Sequence, residues 1–232
     1  MSFSSDRPRL RLPLGAAARV SVAALGLTAV LAALAAPIAL AAPEKNRNHF
    51  DSDAPFRPPG FFDFVVLGPA GDALWNVVAD SNPPSAPNVV SQIFTKRPAN
   101  SIAAAIRRNV RLTDGTLTVA IKKLSSHAGL IFRLTDDRTG FLALLVDPVA
   151  GDASLTRWDK GRSTELAHGR VATDRPWGTL AVRFAGEKIT ATWNGEPLLE
   201  ATGAPAVEGR TGIATAGPGL TAFDEFVIEP AN

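Results

Sequence analysis

The stretch that most constrains this chain runs from Ala128 to Asp147, AGLIFRLTDDRTGFLALLVD. It reads as two strands joined by a polar connection, Asp136-Asp137-Arg138-Thr139-Gly140. A strand with one wet face alternates apolar and polar residues, whereas a strand covered on both faces is a nearly continuous apolar run. Both runs are of the second kind, so the hairpin belongs in the middle of a layered β structure. Arg133 is the one long charged residue inside these strands. Burying an unpaired guanidinium costs too much to be incidental. Arg133 must therefore reach water, a carboxylate or a ligand.

The rest of the chain past Leu74 supplies strands to build around that hairpin. Leu74–Asp80 and Val89–Phe94 are strand candidates separated by SNPPSAPN, whose three prolines require a loop. Ile102–Leu112 is ambiguous between a helical turn and a strand. After the turn pair Asp114-Gly115, Leu117, Val119 and Ile121 alternate with polar or small residues at a period of two. Ala153–Asp159 and Thr164–His168 flank a turn at Lys160-Gly161-Arg162. Leu180, Val182 and Phe184 alternate again, as do Ile189, Ala191 and Trp193. Asn194-Gly195 is a strong hairpin signal, because a type I′ turn needs positive φ at both central positions. Arg210–Thr215 and Thr221–Ile228 close the series. About a dozen short strands without a convincing helix predict an all-β sandwich of two antiparallel sheets over residues 74–230. The expected inward set is Leu117, Val119, Ile121, Leu130, Phe132, Leu144, Leu180, Val182, Phe184, Ile189, Trp193, Ile213, Phe223 and Phe226. Residues 42–73, rich in proline up to Gly60, are expected to form an irregular lead-in.

Residues 1–41 read as an export signal. Arg7, Arg9, Arg11 and Arg19 precede the apolar run Val20–Ala36, and Ala39-Leu40-Ala41 offers a small-x-small cleavage pattern. The alternatives are an uncleaved anchor, since Val20–Ala42 could just span a bilayer, and an organellar transit peptide. The expected location is periplasmic or extracellular, with membrane contact only through this segment if it stays attached. Beyond it the chain carries 20 basic and 21 acidic residues, so no basic footprint for nucleic acid remains. The absence of cysteine excludes disulfides and thiolate metal sites.

Each class of site chemistry sets its own demands on residue type and spacing. Glycoside hydrolysis needs two carboxylates flanking the bond, yet the acids near the predicted strands lie in turns: Asp114, Asp136, Asp137, Asp147 and Asp152. His49, His127 and His168 are far apart and form no HxxxH pattern. Gly217-Pro218-Gly219-Leu220-Thr221-Ala222 fits GxGxxA, but a strand follows it where a dinucleotide loop requires a helix. Thr118, Lys122, Arg133, Arg183, Thr190 and Thr192 occupy strand positions opposite the core set, and would line one surface if their strands share a sheet. Such donors beside an aromatic suit sugar hydroxyls or a carboxylate. The candidate ligand-binding residues are Arg133, Arg183 and Lys122, with His127 near the mouth and Trp158 as an aromatic partner.

Several blocks in order carry a resemblance: Trp75-Asn76-Val77-Val78-Ala79-Asp80, then Pro84 to Gln92, Gly129-Leu130-Ile131-Phe132-Arg133, Asn194-Gly195, Gly209-Arg210-Thr211-Gly212-Ile213 and Phe223-Asp224-Glu225-Phe226. From Trp75 to Ile228 the chain resembles the concanavalin A-like jelly-roll, in particular the 3-keto-disaccharide hydrolase domain family and its laminin-G-like relatives. The resemblance implies two stacked antiparallel sheets whose concave face often meets carbohydrate. It also implies that Asp224 could help hold a structural calcium with acids of the lead-in, Asp51, Asp53 and Asp63; no other cofactor is expected. The Glu-x-Asp-x-x-Glu strand of laminarinase relatives is not matched here. Three functions follow as expectations: a non-catalytic carbohydrate-binding module of the cell envelope, a 3-keto-glycoside hydrolase or lyase, and a structural envelope domain.

Overall fold

A computed structural model of the protein describes residues 46–69, 71–125 and 127–231. The expected export signal at residues 1–41 lies outside the described residues. Among the described residues, fifteen strands build two sheets in which every pairing is antiparallel.

The eight-stranded sheet runs β13 (Glu196–Ala201), β12 (Lys188–Trp193), β11 (Trp177–Ala185), β6 (Gly115–Lys122), β15 (Thr221–Pro230), β4 (Asn88–Gln92) and β3 (Trp75–Ala79), with β1 (Arg47–Asn48) also paired to β15. The seven-stranded sheet runs β10 (Arg162–Arg170), β9 (Asp152–Asp159), β8 (Gly140–Asp147), β7 (His127–Leu134), β14 (Gly209–Ala216), β5 (Ile102–Leu112) and β2 (Phe62–Leu67). The chain crosses between sheets at β1–β2, β2–β3, β4–β5, β5–β6, β6–β7, β10–β11, β13–β14 and β14–β15, which makes a jelly-roll sandwich. No helix among the described residues is long and apolar enough to cross a membrane.

All fourteen residues of the expected inward set lie in the core between the sheets. The Ala128–Asp147 hairpin is β7 and β8, and it is buried on both faces. Leu130, Phe132, Leu142 and Leu144 face the inter-sheet core, while Ile131, Phe141, Ala143 and Leu145 join a second apolar cluster on the other face with Val65, Ile106 and Ala214. The ambiguous segment Ile102–Leu112 is a strand, because Ala103 and Ala105 face one cluster and Ile102, Ala104 and Ile106 the other.

The lead-in is more regular than its prolines predict. Phe62–Leu67 is a strand paired along its length with β5. Further upstream, Phe56 N donates to Val77 O and Val77 N donates to Arg57 O, both at 2.8 Å. These bonds cap β3, an edge of its sheet. An uncapped edge strand is a template for pairing with other chains, and the lead-in covers this one.

Candidate functional site

The sequence leaves Arg133 to water, a carboxylate or a ligand; the structure surrounds it with carbonyl oxygens and the Asp114 carboxylate. Along the β7–β14 ladder, Leu134 pairs with Arg210 and Ile131 with Gly212. Two β7 residues, Phe132 and Arg133, thus stand opposite Thr211 alone, a β-bulge, and Arg133 takes a left-handed φ of 52°. Phe132 stacks on Phe184 at 4.8 Å, and the Arg133 guanidinium lies 5.3 Å over the same ring. Its side chain is 1% exposed. It donates to Thr113 O at 2.9 and 3.1 Å, to Pro205 O and Gly186 O at 2.7 Å, and to Asp114 Oδ1 at 3.3 Å. Desolvation lowers its pKa and the Asp114 carboxylate opposes that shift. Arg133 therefore ties three inter-strand connections together at one end of the sandwich.

The other expected ligand residues do not converge on it. Lys122 and Arg183 stand on the eight-stranded sheet, with Thr118, Thr190 and Thr192 on the same outward face. Lys122 pairs across the ladder with Trp177 and Arg183 with Thr116, so the two lie six residues apart along the strands, roughly 20 Å. Lys122 bonds Asp80 and lies 5.8 Å from the Trp177 ring. Burial pushes the Asp80 carboxyl up, but the Lys122 ammonium and nearby amides outweigh it and the net shift is downward. His127 opens β7, at the other end of that strand from Arg133, and its Nε2 is 3.7 Å from Asp147 Oδ2.

Asp224 stands apart from the lead-in acids expected to join it at a calcium ion. It is 0% exposed on β15, contrary to the expectation that the acids stay in turns. Its carboxylate accepts from Ser85 N at 2.7 Å, Ser85 Oγ at 3.2 Å and Glu225 N at 2.7 Å. Asp51 and Asp53 face other partners: Asp51 accepts from Asn88 N and Asp53 from Gly60 N. Among the described residues no three His, Asp or Glu side chains come together as a metal site would require. Asp224 instead fastens the proline-rich loop before β4 onto β15.

Three cavities lie elsewhere, along the rim where β2 begins and β5, β7 and β9 end, and a fourth lies by the β12–β13 turn where β10 ends. The first, about 240 Å³, is lined by His49, Asp53, Phe61 and Arg107 among others. Phe61 is 70% exposed at a φ of 62°, and the Arg107 guanidinium sits 5.1 Å over its ring. The second, about 620 Å³, is lined by Asp63, Asp136 and the arginines 108, 111 and 210. The third, about 170 Å³, is lined by Thr135, Phe141, Arg157, Trp158, Asp159 and Val207 among others. Phe141 and Trp158 are cross-strand neighbours stacked at 5.5 Å and 10°. Arg107 lines the first cavity and the adjacent Arg108 the second; Asp136 lines the second and the adjacent Thr135 the third. The three form one series.

A bulge in β5 creates the middle of this rim. Arg111 pairs with Arg210 and Ile106 with Gly212, so five steps along β5 match two along β14. The excess, Arg107 to Val110, is thrown outward around Asn109, whose φ is 59°. Arg108 Nε donates to Asp63 Oδ1 at 2.7 Å, Arg210 bonds the other Asp63 oxygen, and Arg111 bonds Asp136. The Arg108 hydrogen bond, aided by Arg210 and opposed by burial, holds Asp63 below the usual carboxylate range. Of the expected site residues, Trp158 lies in this series, and Arg133 touches its third cavity from beneath. The arginines of the bulge escape a reading by periodicity, although Arg107-Arg108-Asn109 breaking an apolar run is its visible trace.

No family model matches this chain, and no curated protein matches it in sequence. Its fold does have solved relatives. A carbohydrate-binding module of Bacillus subtilis, CBM66, superposes with a TM-score of 0.55 at 12% identity, over 73% of this chain and 97% of the module. A Bacillus subtilis protein of unknown function with a galectin-like fold superposes at 0.51 and 12% identity, over 72% of this chain and 89% of its own. The chain is thus an all-β, concanavalin A-like jelly-roll sandwich of the type found in galectin-like proteins and carbohydrate-binding modules.

Proposed function

We propose that this protein is an exported domain that binds carbohydrate along the rim without turning it over. The observation that carries the reading is the third cavity. There an aromatic pair, Phe141 and Trp158, stands beside Thr135, Arg157 and Asp159. An apolar ring face next to a few convergent donors and acceptors is the chemistry that holds a sugar: the ring takes its C–H face and the polar groups its hydroxyls. The module of similar fold is consistent with this ligand class. Binding without hydrolysis is supported by the state of the acids. A glycosidase needs one protonated and one ionised carboxyl across the bond. Asp63 is held ionised by two arginines, and the acid with a raised pKa, Asp224, is fully enclosed on the other sheet.

The test is affinity electrophoresis and calorimetry over a panel of soluble glycans, including keto-disaccharides. Trp158→Ala should weaken binding of any retained glycan by at least about tenfold with the circular dichroism spectrum unchanged. Wild-type protein that retains none of the panel removes the carbohydrate reading. Release of monosaccharide from a 3-keto-disaccharide replaces it with the hydrolase alternative. Export is checked by N-terminal sequencing of protein recovered from the envelope or medium, which should begin near Ala42.

A further inference from the structure

The middle cavity of the rim differs from its neighbours. It has no aromatic lining, and three guanidiniums there face two carboxylates. Asp63 is committed to two of them, Arg108 and Arg210. Arg111 is held otherwise. Its partner Asp136 comes from the polar connection between β7 and β8, and the Asp136 side chain is 70% exposed. An exposed single ion pair of this kind contributes little, so another carboxylate can replace Asp136 at little cost. Each arginine spends one nitrogen on these acids, and a guanidinium has five N–H donors in a planar fork suited to carboxylate. The groove also carries one positive charge in excess, while the chain beyond residue 41 is close to neutral.

We propose that this groove receives the carboxylate of an acidic sugar, a uronic acid residue within the glycan chain. Arg111 is its main partner, Arg108 and Arg210 flank it, and Asp136 is the resident carboxylate that it displaces. The proposal rests on the carbohydrate reading of the rim and narrows it to a ligand class. The side cavities then take the neighbouring sugar units, with Trp158 on one side and Phe61 on the other.

Calorimetry separates the two claims. The probes are oligogalacturonates, neutral oligosaccharides of the same length, and sulfated dextran oligomers. Wild-type protein should bind the uronic acid oligomers at least about tenfold tighter than the neutral ones, and this margin should shrink as salt rises. Arg111→Ala should abolish the margin between uronic acid and neutral oligomers. Asp136→Asn, which frees Arg111, should tighten uronic acid binding by about three- to tenfold. Both variants change exposed side chains, and unchanged melting temperatures confirm their folds. Equal binding of acidic and neutral oligomers, or an Asp136→Asn variant no tighter than wild type, overturns the carboxylate site while leaving the carbohydrate reading standing. Preference for the sulfated oligomers overturns it in favour of sulfate. Binding of none of the probes removes both claims.

Discussion

Arg133 keeps its charge inside the sandwich because three connections lend it their carbonyl oxygens. Truncating it strands those acceptors and opens a cavity beside Phe184, so Arg133→Ala should cost about 3–5 kcal/mol, the usual effect of breaking a buried charged network. Urea denaturation checks this; an unchanged midpoint with lost glycan retention would return Arg133 to the ligand. Asp224 poses the opposite case. Burial raises its carboxyl from 3.8 to about 6, against the amides of Ser85 and Glu225 and the Ser85 hydroxyl, which pull it down. The native state holds this proton more tightly than the unfolded chain. The resulting stability is fully present below about 3.8 and is lost as pH rises through about 6, with a size of about 3 kcal/mol. Asp63 and Asp80 have lowered values, so their contributions are present above the unfolded pKa and fall away as pH drops through the folded ones. Stability should therefore rise on mild acidification from neutrality and decline below pH ~4. In Asp224→Asn the rise should disappear, as read by thermal melts across the pH range; a wild-type curve that only falls on acidification would show Asp224 ionised normally.

At the scale of elements, turn chemistry and bulges decide how strands are aimed. The β12–β13 connection has φ of 54° at Asn194 and 87° at Gly195, the two positive values a type I′ turn demands. A Cβ at Gly195 would meet nothing within 4 Å, so any cost of substitution is backbone strain alone. Gly195→Val should lower stability by about 1–3 kcal/mol, whereas Gly195→Asn, better tolerated at positive φ, should recover most of it. Equal midpoints for the two would show that strain at this turn is not what limits the hairpin. The bulges in β5 and β7 act differently. One carries Arg107 and Arg108 out to the rim and the other turns Arg133 inward beneath it.

For the whole molecule, the lead-in is a structural belt. Phe50 belongs to the core, β1 pairs with β15, and Phe56 and Arg57 close the β3 edge. The proposed cleavage near Ala41 would leave all of this in place. A truncated chain beginning at Phe61 loses it, and should be destabilised by about 3–5 kcal/mol from the missing Phe50 alone. It should also self-associate through the uncovered edge. Thermal melts and light scattering read the two effects; a truncated chain as stable and as monodisperse as one beginning at Ala42 would show that the belt is ornamental.

The sequence by itself determined the class of fold and the composition of the core, because strand period and continuous apolar runs are local properties. The residues from Leu117 to Phe226 expected inside are inside, and the hairpin expected to be covered on both faces is so covered. Only the tertiary structure decided which polar residues meet. Arg133, Lys122 and Arg183 share a chemistry and a periodicity, but their strands belong to different sheets or place them far apart. Asp63, Arg108, Arg111, Asp136 and Arg210 are spread over three strands and a turn, and strand order and a bulge bring them to one groove. Pairing register and bulges are set by long-range contacts, and a pattern of neighbours along the chain does not encode them.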